Sequence, residues 1–378
     1  MELSEKDIKF AADGIDRLVC APIGAKFFKR TAYPLIHLLY EAARKKSATG
    51  DPLTYQAAKG IVDRVKPGDV VIFLTGWYLP MFMIGENDGP PGCAGLARAI
   101  NFGLSATPVV FSESGHLDII KASFRGAGFR IGDDLERVRK ILRHVYVDAP
   151  LSPLMDEAKS LEIVRRTLDD LNPAAVIAIE KSSPNAAGLN HSLPGRDLTP
   201  INGKYHLMIE EARKRGILTI ACGDGGNEIG MGNVHDEVRK YLATGAECFD
   251  GCGAGCAATT KADVLVVGFI SNWAAYGIEA ALSLLLGRHE LMHDGETEER
   301  VLRLTADAGA AGPPYGFSEM GVDELPAKFN IGIIDQLKHT VLDYLTHTQG
   351  RQKYMDSIKH IKDLDIWIKE EYPRLEAK

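Results

Sequence analysis

The chain has 378 residues, of which 45% are hydrophobic and 25% are charged, and its formal net charge is −7. These proportions are typical of a globular protein, and the length suffices for one large α/β domain or two ordinary ones. The acidic balance argues against a nucleic-acid partner, which usually requires a basic surface. An anionic small molecule is still compatible with it, provided that hydrogen-bond donors cluster locally.

No apolar stretch approaches the ~20 residues that a membrane-spanning helix needs, so we expect no membrane partner. The N-terminus, MELSEKDIKF, lacks the basic and apolar regions of a secretion signal and does not resemble an Arg-rich transit peptide. We therefore predict a cytoplasmic protein. The six cysteines do not imply a disulfide framework in a chain of this length.

Apolar runs alternate with helical patterns along most of the chain. The predicted strands cover residues 70–74, 108–111, 143–147, 174–179, 217–221 and 263–268. This alternation predicts the α/β class, with a mostly parallel, Rossmann-like, doubly wound sheet flanked by helices. We predict an N-terminal helical segment (1–50), an α/β domain that carries the functional site (51–345) and a C-terminal helical extension (346–378). The C-terminal helices, 331–345 and 352–369, suit a homodimer surface and a domain cap equally well.

Polar clusters follow the predicted strands at residues 85–92, 112–116, 180–190, 223–232 and 271–273. A parallel sheet sends the segments after its strands to one edge, which is where ligands bind in such folds. We therefore predict a single site at that edge. The irregular segment with Asn185, Asn190, His191 and Arg196 is a candidate substrate lid.

The loop at 85–92 places Glu86 and Asp88 beside several glycines, immediately before a helix. Pro91 suits the first helical turn, and a helix N-terminus after a glycine-rich loop can hold an anion. An ordinary turn would explain the glycines and prolines, but it would not require two carboxylates.

The loop at 223–232 is the most polar and backbone-permissive stretch. Asp224, Asn227 and Glu228 could bind an ammonium group, hold a divalent cation or transfer protons. The alternative is that Asn227 caps the next helix. The glycine spacing does not match the dinucleotide-binding fingerprint.

Other candidates each have a structural alternative. Ser271 and Asn272 either face a ligand or cap the following helix, and His116 is the best-placed histidine for acid–base chemistry. Cys248, Cys252 and Cys256 match no zinc-binding pattern in their spacing. We interpret them as small residues packed under the site.

The motifs GENDGPPG (85–92), GDGGNEIGMG (223–232) and SNW (271–273) resemble those of the D-glutamate cyclase family. That family comprises the C-terminal part of a vertebrate mitochondrial protein and stand-alone bacterial proteins, and the resemblance spans roughly residues 20–345. Two places depart from its pattern. Asn87 stands where the family usually has Thr, and residues 310–316 differ from its usual Asp-Gly stretch.

The resemblance implies conversion of D-glutamate to 5-oxo-D-proline and water, without a nucleotide. The hypothesis gives Glu86 and Asp88 the catalytic role, with Asp224 and Glu228 as competitors. Backbone amides and polar side chains would bind the acidic amino acid: Gly89, Gly92, Glu180, Gly225, Gly226, Asn227, Ser271 and Asn272. If a divalent cation (Mg²⁺ or Mn²⁺) is bound, its ligands would be Glu86, Asp88 and Asp224.

Two other functions are compatible with the same residues. One is cyclisation or hydration of another acidic amino acid, and the other is non-catalytic binding of an acidic metabolite. Four carboxylates in candidate site loops are more than an anion-binding module should tolerate. The sequence therefore favours an enzyme.

Overall fold

The computed structural model describes residues 3–22, 35–313, 315–347 and 369. Within them, seven strands form one parallel sheet and two short strands form a separate antiparallel hairpin. The strands are β1 (Val70–Thr75), β2 (Tyr78–Leu79), β3 (Ile84–Gly85), β4 (Thr107–Phe111), β5 (Arg130–Gly132), β6 (His144–Asp148), β7 (Ala175–Ile179), β8 (Leu218–Gly223) and β9 (Val264–Val267).

The helices fall into groups that pack on the sheet. They are α1 (Glu5–Val19), α2 (Leu35–Lys46), α3 (Leu53–Arg64), α4 (Pro90–Leu104), α5 (Leu117–Gly126), α6 (Leu135–Val138), α7 (Glu157–Leu171), α8 (His206–Lys214), α9 (His235–Tyr241), α10 (Ser271–Leu285), α11 (Gly295–Asp307) and α12 (Ala327–Leu342). In one group α10 contacts α1, α3, α4 and α12, whereas α7 and α8 contact each other. The predicted α/β class with a parallel sheet is confirmed.

The order of strands across the sheet is β5-β6-β4-β1-β7-β8-β9, and every pairing within it is parallel. Strands β1 and β7 are neighbours in the sheet. From β1 the chain continues to β4, on the side away from β7, and from β7 it continues to β8, on the side away from β1. Two adjacent strands whose connections diverge leave a crevice at their carboxyl ends. The topology therefore places a ligand-binding crevice between β1 and β7.

The centre of the sheet is β1, whose sequence VVIFLT is buried at every position. Ile72 lies between Val109 of β4 and Val176 of β7. A continuous apolar run is what a strand covered on both faces requires. Burying each such aliphatic side chain contributes roughly 1.5–3 kcal/mol, so β1 firmly positions the loop that follows it.

The central helix is α10, in which every residue from 271 to 284 is buried. Its approach to α4 depends on a glycine, because a Cβ atom at Gly92 would lie 2.7 Å from the Cα of Asn272. The close contact brings the N-terminal ends of α4 and α10 together beside the crevice.

The N-terminal helices share the core of the sheet, to which Ile15 of α1 contributes. Asp16 of the same helix is buried and accepts hydrogen bonds from the backbone N–H groups of Leu53 (2.6 Å) and Thr54 (3.1 Å). It thereby caps α3 from another element, since α3 has no side-chain cap of its own. The domain boundaries at residues 50 and 345 stay a prediction.

Several elements differ from the predicted ones. The sequence does not predict β5 or the β2–β3 hairpin, because these strands are too short for a clear alternating pattern. The start of α4 is earlier than predicted, since Pro90 and Pro91 both fit its first turn. The predicted helix 352–369 lies outside the described residues except for Lys369. Among the helices that the structure describes, none has the length and apolar character needed to cross a bilayer.

A buried ionic cluster joins α10 to α11. Nδ1 of His293 lies 2.8 Å from the Glu279 carboxylate and Nε2 lies 3.2 Å from that of Glu298. All three side chains are almost completely buried. Burial acts to lower the pKa of His293, but the two carboxylates outweigh it and raise the pKa to about 9.

We expect this histidine to make stability depend on pH. Because its folded-state pKa exceeds the unfolded value of about 6.5, its contribution is fully present below about pH 6.5 and is lost as the pH rises through 9. The stability advantage of wild type over His293→Gln should shrink by at most about 1.4 kcal/mol per pH unit across that window. Urea unfolding at several pH values measures this. The exposed His289→Gln is the control, and a constant difference between wild type and His293→Gln would contradict the assignment.

Candidate active site

The crevice between β1 and β7 collects the polar loops that follow four adjacent strands. Asp88 follows β1 and Glu180 follows β7, while Asp224 follows β8 and Ser271 follows β9. Their side chains meet although they are far apart in the sequence, since the strands are neighbours in the sheet. The parallel topology thus assembles these loops at one edge.

Asp88 and Asn272 link the starts of α4 and α10. The Asp88 carboxylate accepts hydrogen bonds from the backbone N–H groups of Gly89 (2.9 Å), Ser271 (3.0 Å) and Asn272 (2.8 Å). In return, the side-chain oxygen of Asn272 accepts from the N–H groups of Gly89 (2.9 Å) and Gly92 (2.7 Å). Each helix start is satisfied by a residue from the other segment, so the two loops form one rigid unit.

The alternative interpretation, in which Ser271 and Asn272 cap α10 and Asn227 caps the helix that follows it, is wrong. The N-cap position of α10 is Ile270, and no side chain caps that helix locally. Asn227 donates from its side-chain nitrogen to the carbonyl of His191 (2.8 Å) instead. All three side chains therefore join segments that are distant in sequence.

Glu180 is the most unusual residue of the crevice. Its backbone has φ = 46°, a left-handed conformation that residues other than glycine adopt rarely and that clusters at functional sites. The side chain is buried, and the Ser271 hydroxyl donates to it at 2.5 Å.

Burial raises the pKa of the Glu180 carboxyl well above its usual range, and the nearby carboxylates add to the effect. The contributing charges belong to Glu228, Asp224, Asp88 and Glu86, in that order. Burial and these charges therefore favour the protonated form of Glu180, which is the form that can serve as an acid.

Glu228 shapes the glycine-rich loop. Its carboxylate accepts hydrogen bonds from the backbone N–H groups of Asp224 (3.3 Å), Gly225 (2.7 Å) and Gly226 (2.7 Å). A carboxylate with three backbone donors is held in place. This geometry suits a residue that positions Asp224 better than one that transfers protons.

Asp224 is partly exposed and belongs to two sets of three carboxylates. One set is Glu180, Asp224 and Glu228, and the other is Asp88, Asp224 and Asp323; within each set one oxygen per residue lies within 4.8 Å of the others. Oxygen sets of this kind suit a hard divalent cation. Asp323, rather than the predicted Glu86, joins Asp88 and Asp224 in the second set.

The four backbone amides predicted to bind substrate oxygens have partners within the protein. Those of Gly89 and Gly92 donate to Asn272, and those of Gly225 and Gly226 donate to Glu228. Their role in binding an acidic substrate stays a prediction, and it would require these bonds to be exchanged.

A second buried cluster lies beside the crevice. The Lys181 ammonium donates to the Glu113 carboxylate and, at 3.1 Å, to the carbonyl of Gly76 after β1. Glu113 also accepts from the backbone N–H of Gly203 (2.9 Å), and Nδ1 of His116 lies 3.3 Å away. Burial acts to raise the pKa of Glu113, but Lys181 and His116 outweigh it and lower the pKa to about 2. The cluster is therefore a buried ion pair that fixes the first residues after β4 and β7.

A profile of the family described as "D-glutamate cyclase-like, C-terminal" matches residues 35–338. The chain belongs to this family. Human mitochondrial D-glutamate cyclase is 30% identical over 111 residues, which are 29% of this chain. The aligned part is 17% of the length of that human protein. The resemblance predicted from the motifs is thereby confirmed at the level of the family.

The two places that depart from the pattern expected for the D-glutamate cyclase-like family lie against each other. The backbone N–H of Asn87 donates to the carbonyl of Ala311 (3.0 Å), and the backbone N–H of Ala311 donates to the carbonyl of Gly85 (3.0 Å). The Asn87 side chain also donates to the carbonyl of Gly321. The loop after β1 is thus joined to the segment that carries Asp323.

The sequence does not single out Asp323 or Glu113 as site residues. Asp323 lies in a short segment after α11 and has a positive φ of 53°, which no local motif indicates. Glu113 lies in the predicted 112–116 cluster, but its partner Lys181 follows a strand that is not adjacent to β4. The strand order, which the sequence does not give, would have indicated the pairing of Glu113 with Lys181, but it would not have indicated Asp323.

Proposed function

We propose that this chain is a hydro-lyase that cyclises D-glutamate to 5-oxo-D-proline and water. Family membership supports this, and the human relative carries the name of that activity. The observation that carries the proposal is the pairing of Glu180, a buried carboxyl whose pKa is raised, with the partly exposed Asp224 at the same crevice. An acid and a base side by side are what the reaction needs.

The chemistry moves two protons from the substrate nitrogen to the departing oxygen. The substrate ammonium must lose one proton before its nitrogen attacks the γ-carboxyl carbon and forms the C–N bond. The attached nitrogen then loses a second proton, and the tetrahedral intermediate expels one oxygen of that carboxyl, which takes up two protons in total and leaves as water. The atoms balance, since the substrate loses two hydrogens and one oxygen. Holding the substrate in its cyclic conformer lowers the barrier further.

In this proposal Asp224 accepts the ammonium proton and Glu180 donates a proton to the departing oxygen. Asp224 is the more exposed of the two, whereas burial among carboxylates raises the pKa of Glu180 and favours its protonated form. Ser271, at 2.5 Å from Glu180, orients the acid. Asp88 and Glu228 position the loops through their backbone hydrogen bonds, and Glu86 supplies further negative charge.

A divalent cation is part of the proposal because the crevice carries many carboxylates while the substrate is itself anionic. Asp88, Asp224 and Asp323 offer the oxygen donors that Mg²⁺ or Mn²⁺ prefers. A bound cation would offset the repulsion between substrate and protein and polarise the γ-carboxyl group.

The test is proton NMR of the purified chain with D-glutamate or L-glutamate. We expect 5-oxo-D-proline from the D isomer alone, loss of activity in EDTA, and recovery with Mg²⁺ or Mn²⁺ but not Zn²⁺. Undiminished turnover in EDTA would remove the cation from the proposal.

Absence of product from both isomers would contradict the proposed function. If D-glutamate nevertheless raised the melting temperature, the chain would be a binder of acidic metabolites. Product from a different acidic amino acid would instead change the substrate. Cell fractionation tests the cytoplasmic location, which stays a prediction.

A further inference from the structure

Two of the clustered cysteines meet a histidine that is distant in sequence. Cys248 and Cys252 lie between α9 and β9, and His191 lies in the irregular segment after β7. One sulfur or ring nitrogen from each residue lies within 4.8 Å of the other two. The sulfur atoms of Cys248 and Cys252 are 2.8 Å apart, closer than thiols that merely pack. The interpretation of the cysteines as packed small residues considers only their own spacing, which does not include His191.

His191 lacks a partner for one of its nitrogens. The side chain is 1% exposed, and its Nε2 has no hydrogen-bond partner among the described residues. The carbonyl of Leu189 lies 3.4 Å from Nδ1, where it can accept a proton held on that nitrogen and leave the lone pair on Nε2. Burying a polar atom without a partner destabilises a fold, so Nε2 is suited to bind a ligand.

Asn185 holds the sulfur of Cys252 in place. Its side-chain nitrogen lies 3.4 Å from that sulfur and donates to the carbonyl of Gly255 at 2.6 Å. Contacts of this kind orient the ligands of metal sites from the outside.

We propose that His191, Cys248 and Cys252 bind a zinc-class divalent ion, with a fourth position for water or a small ligand. Thiolate sulfur and imidazole nitrogen are the donors zinc prefers, at about 2.3 Å and about 2.0–2.1 Å respectively. Cys248 and Cys252 are partly exposed, which gives the ion a path of entry. A disulfide would use only the two sulfurs and leave His191 unpartnered, whereas a metal ion uses all three residues.

This ion would stabilise the glycine-rich loop at 223–232 through the segments that contact it. The carbonyl of His191 accepts from the side chain of Asn227 (2.8 Å), and the N–H of Ala258 donates to the carbonyl of Gly226 (2.9 Å). Joining the segments of His191 and Cys252 through a metal ion would hold both supports in place. The site therefore stabilises the loop that carries Asp224, and this role is separate from the oxygen-liganded cation of the proposed reaction.

The test uses the full chain, reduced, stripped of metal and titrated with Zn²⁺ or Co²⁺. We expect about one ion per chain, a thiolate-to-cobalt charge-transfer band, and a melting temperature that rises by several degrees with Zn²⁺. Cys252→Ser and His191→Asn should lose or strongly weaken the band. Cys256→Ser is the matched control, because Cys256 is buried, lies 3.4 Å from the Thr244 hydroxyl and is not a member of the set of His191, Cys248 and Cys252.

Two results would overturn the proposal. One is a reduced wild-type chain that gives no charge-transfer band and no thermal shift. The other is a Cys248–Cys252 disulfide, found by thiol counting and peptide mapping, in a chain that binds no metal after reduction; the pair would then be a redox couple. Both results come from wild type, so they do not depend on how the variants fold.

Discussion

Replacing Glu180 with Gln should reduce kcat for 5-oxo-D-proline formation by about 10²–10⁴-fold while leaving the chain folded. The amide keeps the size of the carboxyl group but cannot donate the proton that the departing oxygen needs. Stability should be unchanged or higher, because the amide removes an unfavourable arrangement. Glu180 is a fifth carboxyl buried beside those of Glu228, Asp224, Asp88 and Glu86, which oppose its ionisation. NMR turnover assays and thermal melting measure the two effects.

Glu210→Gln is the matched control. Glu210 is a partly buried glutamate on α8 whose pKa is also raised by burial, but it lies outside the crevice. It should retain normal turnover. For wild type, kcat/KM should fall as the pH rises through the raised pKa of Glu180, and Glu180→Gln should lack that limb. Near-normal turnover in Glu180→Gln would transfer the acid role to another carboxyl, with Glu86 the first to test.

The largest effect on stability should come from the buried pair of Glu113 and Lys181, whose side chains are 2% and 1% exposed. Glu113→Gln leaves the ammonium buried without a counter-charge, and we expect it to lower the free energy of unfolding by about 3–5 kcal/mol. Lys181→Met leaves the carboxylate unpaired and should cost a similar amount. The double variant should cost clearly less than the sum of the two, because neither charge is then stranded.

Urea unfolding of the four proteins forms a double-mutant cycle. The exposed pair of Lys159 and Glu162 gives the control, since Glu162→Gln should leave the urea midpoint nearly unchanged. If the costs of Glu113→Gln and Lys181→Met were additive, the ion pair would contribute no coupling and the cluster would owe its stability to packing alone.

The fold could be predicted largely from local pattern. Strands such as β1 and β7 are continuous apolar runs bounded by Gly, Pro or charged residues, and burial on both faces makes that signal strong. The segment of β5 is too short and too exposed to show such a pattern. The prediction that the site lies at the edge where the strands end followed from the parallel topology alone, and it did not require the strand order.

The chemistry of individual site residues could not be predicted in the same way. Asp88 and Glu228 look like free carboxylates in the sequence, but both accept several backbone hydrogen bonds. Glu180 and Lys181 are adjacent charged residues in the sequence, yet burial raises the pKa of Glu180 whereas Lys181 forms an ion pair with Glu113. These differences depend on burial and on neighbours from other strands, which a local motif does not contain.

The mutual capping of α4 and α10 has a consequence for how the chain folds. The Asp88 carboxylate accepts a hydrogen bond from the N–H of Ser271, which is 183 residues away in the sequence. Neither helix start therefore has all its hydrogen bonds until the other helix has packed beside it. Contacts at such separation form late, because the loop between them must first be ordered. On the ribosome, the segment from β1 to α4 would therefore wait for almost the whole sheet to be synthesised before the N-terminal end of α4 acquires its final shape.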